Sequence, residues 1–400
     1  MPSTRMGSPV FDNDVAGIMV SSPITDQLSV NVFWLRPFDA YMNDSDAGSN
    51  GSLYRRNFTD ETDLLGIMLP MNFPEANLRI TPWFMYGSIG ASSGIYNYMY
   101  GRGTENTVGV RYSDTYDWDS HTHAWWLGTH LEIDLLDSLA LSIEGVYGRM
   151  SRTGLSGLGA QSVSFDFVDN QRYRTSGYAK DIGTSGWYIA STLDYTLTGE
   201  GWSMTPGLFG WWASGDDKES AESGKLGRLP SLAQDNTFSP TSFGANGYYG
   251  VGQYDRAAIL GTGTGTWGVG IQLADITFVE RLKHTLRFAY YRGTNDSELV
   301  KKGYNRDGTP SDGYLGRYAL NQTGRFYQYS ADGLYLTDKD SVFEVNFDHQ
   351  YQVYENLTAV LELGWLHLKS DEDTWRRYKG HGRDENDNAW KAQVSLRYSF

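Results

Sequence analysis

Cysteine is absent from all 400 residues, so neither a disulfide nor a thiolate metal site can form. No run of about 18 apolar residues occurs, which removes membrane-spanning helices from consideration. Proline is scarce, at 11 residues, and bases are outnumbered, with 33 Lys and Arg against 48 Asp and Glu. The resulting charge of −15 argues against nucleic-acid binding, which needs a basic surface. Mean hydropathy is −0.47, polar on average. A membrane β-barrel survives all of these exclusions, because its strands are apolar only at every second position. What is plentiful suits one: 46 Gly for turns, with 28 Tyr and 13 Trp for interfacial rings.

The C-terminus carries the plainest signal. From Trp390 onward, Ala392, Val394, Leu396, Tyr398 and Phe400 fall on one face, and Lys391, Gln393, Ser395, Arg397 and Ser399 on the other. A period of two is a β-strand. A strand that ends the chain on a bare apolar face suits the closing strand of a barrel, with lipid on one side and a polar lumen on the other. Trp390, Tyr398 and Phe400 are then the assembly signal for the outer-membrane barrel assembly machinery.

Working back from that strand, alternation marks twelve more, at residues 15–22, 28–40, 63–70, 78–90, 123–133, 139–150, 186–198, 203–215, 261–276, 284–293, 341–353 and 357–368. Connections of three to seven residues alternate with long ones, and those at 91–122, 151–185, 216–260 and 294–340 each exceed about 30 residues. This is the pattern of short periplasmic turns and long extracellular loops. The expected fold is all-β: one antiparallel transmembrane β-barrel domain over residues 1–400, of the porin type with about 16 to 18 strands. Thirteen strands are readable. Residues 1–10 lack the apolar core of a signal peptide. Bacterial barrels have even strand counts, so the odd count implies a chain short of its first strands. The alternative is a missed strand near 326–336 or 96–111.

Several stretches resemble the outer-membrane homotrimeric porins of sulfate-reducing, Desulfovibrio-type bacteria. They are Arg5-Met6-Gly7 with FDNDVAGIMV (11–20), VFWLRPFDA (32–40), PGLFGWWASGDD (206–217) and DNAWKAQVSLRYSF (387–400). The resemblance covers essentially the whole chain. It implies a homotrimer in the bacterial outer membrane, passing small hydrophilic solutes and ions, with lipid and lipopolysaccharide around it. It also implies a signal peptide and further strands before the Arg-Met-Gly segment.

Pore chemistry depends on inward charges and on width. The alternation turns an acidic set inward, Glu132, Glu144, Asp194, Glu344, Asp348 and Glu362, and a basic set, Arg79, Arg287, Lys391 and Arg397. Taken singly, each is more simply a solvated lumen residue; together the two sets would give a transverse field. Arg287 and Glu144, mid-strand between apolar outward neighbours, stand out. A narrowing loop could come from the segment before Val15, with Arg5, Asp12 and Asp14, or from 216–260. Inward Trp83, Tyr188, Trp211 and Tyr291 would suit the alternative, a substrate-specific channel for sugars or organic anions. An outer-membrane barrel enzyme needs a Ser–His–acid cluster, and His367 has no Ser beside it in the sequence. His121, His123 and His381 lack the partners of a metal site. The Gly-Thr repeat at 261–266 lacks the Lys of a phosphate loop. No metal, cofactor or catalytic residue is therefore expected.

Overall fold

A computed structural model describes residues 9–11, 15–38, 61–90, 122–152, 164–166, 172–174, 182–218, 225–227, 229, 230, 232, 241, 265–298, 336–375 and 387–399. The thirteen segments read from alternation are thirteen strands of one sheet. They are β1 (Ala16–Pro23), β2 (Ser29–Phe38), β3 (Thr62–Met68), β4 (Leu78–Ile89), β5 (Thr122–Leu136), β6 (Leu139–Arg152), β7 (Ile182–Tyr195), β8 (Trp202–Ala213), β9 (Thr266–Val279), β10 (Leu282–Gly293), β11 (Ser341–Tyr354), β12 (Leu357–Lys369) and β13 (Asp387–Tyr398). Each pairs antiparallel with the next in sequence, and β1 and β13 are the two ends of the path. Helix among the described residues comprises the single turns Pro74–Ala76 and Glu372–Trp375 and the helical pair 297–298.

The sheet has two chemically opposite faces. Outward positions carry exposed Ile18, Val20, Leu65, Leu127, Ile189, Leu208, Val269, Ile271 and Val394. Inward positions carry the buried polar residues, among them Glu144, Asp194, Glu344, Asn346, Asp348 and Glu362. A water-soluble sheet does the reverse, because apolar surface leaves water. Rings bracket the apolar band on the outward face. Near the long connections Trp125 meets Tyr147 at 5.3 Å, Tyr147 meets Trp187 at 4.5 Å, and Trp365 meets both Phe343 and Trp390 at 6.0 Å. Near the short turns stand Tyr195, Phe278, Tyr351, Tyr354 and Tyr398. Phe343 to Tyr351 on β11 spans about 27 Å of strand, or about 21 Å along the normal at a barrel's usual tilt. That matches the hydrocarbon thickness such barrels cross.

The short turns are tighter than alternation alone suggests. The turn after β9 is Glu280-Arg281, with Arg281 at φ 65°, where the sequence pattern ends the strand at Ile276. Register shifts between Leu273 and Ile276, and again between Ile276 and Val279, put alternation out of step while pairing continues. The same happens between Asp134 and Leu136 at the end of β5. Residues 71–77 form a short strand, Met71–Phe73, and a turn closed by Asn77 at φ 48°. Residues 261–264, the rival strand near 96–111, Phe400, Arg5, Asp12, Asp14, His121 and His381 lie outside the described residues.

Candidate functional site

Inward rings set the texture of the interior, and each rests on an inward glycine of the adjacent strand. Phe33 lies over Gly66, Trp83 over Gly128, Trp126 over Gly148, Phe209 over Gly270 and Trp211 over Gly268. A methyl at Gly128 would come within 2.4 Å of the Trp83 ring, and one at Gly268 within 2.3 Å of Trp211. The glycines let the rings lie flat along the wall. Two inward rings also bond to neighbours: Tyr291 donates its hydroxyl to Glu344 Oε2 at 2.8 Å, and Trp211 donates Nε1–H to Thr266 at 3.0 Å.

Burial is graded along the interior. Inward side chains near the long connections, Leu64, Met85, Trp126, Tyr188 and Tyr291, are at most 2% exposed. Toward the short turns exposure rises, to 59% at Arg79 and 58% at Lys283. A slide for a stacking solute needs open ring faces. Trp83, Tyr188, Trp211 and Tyr291 do point inward, but all four are buried, which removes the feature that would favour a substrate-specific channel.

Part of the cover over this packed zone is chain from elsewhere. Leu229 reaches the inner face beside Gly148, 3.0 Å from where a methyl there would sit. Trp126 Nε1–H donates to the Pro230 carbonyl at 2.8 Å, bridging 104 positions of sequence. Leu232 N–H donates to the Val10 carbonyl at 2.8 Å. Val10, Phe11, Leu229 and Leu232 are all buried. The two candidates for a narrowing segment, the stretch before Val15 and the 216–260 connection, therefore meet each other against β5 and β6.

All ten charged candidates lie on inward registers. Arg79 faces Glu132 across β4 and β5, with Nη2 3.4 Å from its carboxylate and 4.0 Å from Asp134. Glu144 is buried on β6, in register between His130 and Ala190. Further round, Asp194, Gly207, Gln272, Arg287, Asn346, Gly364 and Lys391 stand opposite one another in succession from β7 to β13. Gln272 donates to Asp194 at 2.9 Å. Arg287 is ion-paired to Asp348, and Lys391 to Glu362 at 3.4 Å. Glu344 accepts from Asn346 at 2.8 Å as well as from Tyr291. Arg397 is exposed near the short-turn end of β13.

Arg79, Arg287 and Lys391 each pair with a carboxylate on the adjacent strand, or one diagonal step away. A charge in a partly buried wall takes the nearest counter-charge rather than face one across a lumen. These ion pairs run along the wall.

Sequence reasoning missed His130, which shares inward space with Ser142 at 3.0 Å and Glu132 at 3.9 Å. Their alternate spacing on β5 and β6 was the available signal. Both partners approach the same nitrogen, Nε2, whereas a hydrolytic relay needs Ser and acid on opposite nitrogens. His367 contacts Asn388 at 3.1 Å and stacks on Trp365. Neither arrangement is that of a serine hydrolase.

No protein-family model matches the chain, and no curated protein matches it significantly. Among solved structures it is similar to OccK11 (OpdR) of Pseudomonas aeruginosa, at 14% identity over 99% of this chain and 74% of that one, with TM-score 0.41. It is similar to OprD of the same organism at 11% identity over 96% and 69%, TM-score 0.38. It is also similar to the porin NanC, at 8% identity over 85% and 94%, TM-score 0.29. The strand path and its inverted polarity, independently of those likenesses, make this chain the wall of a membrane-spanning antiparallel β-barrel of the kind found in bacterial outer membranes.

Proposed function

We propose that the chain forms an outer-membrane porin, a passive channel for small hydrophilic solutes and ions. One observation carries the reading: carboxylates, guanidinium, ammonium and amide groups line the inward face of a sheet whose outward face is apolar and ringed by aromatics. Charged residues are costly on a lipid-facing wall and serve a purpose only where they line water. The narrow zone lies where Val10 and Phe11 meet Leu229, Pro230 and Leu232 against the inner face at Trp126. A homotrimer, assembly through the C-terminal strand and contact with lipopolysaccharide belong to the same proposal. The stretches that resemble Desulfovibrio-type porins support it.

Planar-bilayer recording on the refolded chain tests it. Steady ohmic steps are expected, in groups of three if the trimer forms. A folded barrel that never conducts would sink the proposal. Trp126→Phe keeps a ring over Gly148 and removes the donor to Pro230, so it should raise single-channel conductance. Unchanged conductance would show that 227–232 does not narrow the path.

A further inference from the structure

Among the described residues, the outward face holds a pair of imidazoles set among apolar register neighbours. His284 on β10 and His349 on β11 are direct cross-strand partners. Their Nδ1 atoms are 2.6 Å apart, and the ring centroids 4.8 Å apart at 86°. Phe347 packs against His349 at 4.2 Å and His284 at 6.1 Å. The next residues in register are Ile276 on β9 and Leu361 on β12, both apolar. Among the described residues, each imidazole has only the other as a hydrogen-bond partner.

We infer that His284 and His349 form a two-imidazole clamp for a borderline divalent transition metal, of the copper, nickel or zinc class. Two neutral imidazoles facing nitrogen to nitrogen share one proton. A metal ion takes both Nδ1 lone pairs once the donor ring shifts its proton from Nδ1 to its own Nε2 by exchange with water, so both ligands stay neutral and no net proton is released. Metal–nitrogen bonds of about 2.0–2.1 Å place two tetrahedral ligand nitrogens about 3.3 Å apart. The rings therefore need to part by only about 0.7 Å, a small side-chain rotation. Imidazole selects these metals over calcium and magnesium, which want carboxylate oxygens, and the register neighbours Ile276 and Leu361 offer none. His284 lies two residues beyond the start of β10 and close to the turn Glu280-Arg281. Water and headgroup oxygens at that interface complete the coordination sphere. The clamp bridges two strands, so metal binding also fastens them. It is independent of whether the barrel conducts.

The test is Cu(II) titrated into the refolded full-length chain in detergent, followed by electron paramagnetic resonance. One equivalent is expected with a two-nitrogen signature, displaced by Zn(II) and not by Mg(II). His284→Ala and His349→Ala should each weaken that equivalent by roughly tenfold or more, and the double variant no further. His284→Gln and His349→Gln serve if an alanine variant fails to refold. Binding that persists in both single variants overturns the proposal. So do losses that add in the double variant, which would mean two independent sites.

Discussion

An inward glycine beneath a ring is a small detail with a firm energetic sign. Gly128 and Gly268 hold no strained backbone angle; their value is the space they leave for Trp83 and Trp211. Gly128→Ala or Gly268→Ala should cost about 1–3 kcal/mol through ring displacement. The measurement is the temperature at which the folded band disappears in heat-modified gel mobility. Gly145, with nothing within 4 Å of an added methyl, is the control and should tolerate alanine. Residue by residue, the side on which each group lies was legible, because a period of two assigns faces without knowledge of register. Partners were not. Arg287 stands opposite Asn346 yet pairs with Asp348, one diagonal step along β11. Which diagonal wins depends on twist and on the next two strands, where the Glu362–Lys391 ion pair stands beside Asp348.

Strands are joined at the long-connection end by a buried polar staple. Asn295, 2% exposed, accepts from Asp216 N–H at 2.9 Å and donates to the Leu336 carbonyl at 2.9 Å and the Gly265 carbonyl at 3.3 Å. One side chain thus ties both roots of the connection between β8 and β9 to the connection between β10 and β11. Asp340 and Asp371 extend the fastening: Asp340 accepts from Thr337 and from Asp371 N–H at 2.8 Å, and Asp371 accepts from Thr374. Asn295→Ala strands one backbone donor and two carbonyls and should cost about 2–4 kcal/mol. The thermal transition of the barrel reports it, and an unchanged midpoint would mean that water replaces the staple. At this scale thirteen strands and the alternation of short and long connections followed from pattern alone. Strand ends did not, since the register shifts near Ile276 and Asp134 mix the two faces while pairing persists. The contact of Pro230 with β5 was illegible for a different reason: Trp126 and Pro230 carry no periodic relation, and contact between them is decided by packing.

For the whole molecule, local ion pairing along the wall leaves selectivity to the net balance of inward charge. Arg287→Ala removes a positive charge beside Asp348 and should move the reversal potential in a salt gradient toward cation preference. Glu144→Ala should move it the other way. If neither variant shifts the reversal potential, both residues lie outside the permeation path. The inverted polarity that identifies the barrel was already present in the alternation of β13. What alternation could not convey is that the interior is unequal along its length.

That inequality makes the channel an unequal pair of resistors in series. The packed half, near Trp126 and Tyr188, takes most of an applied voltage, and the open half near Arg79 and Lys283 takes little. Charges in the packed half act on the ion while it crosses the steepest field. Those in the open half act only by enriching or depleting ions at the mouth, over a Debye length of about 10 Å at 0.1 M salt. In the proposed channel, raising the salt should therefore silence the vestibule and leave the charges of the packed half to set the current.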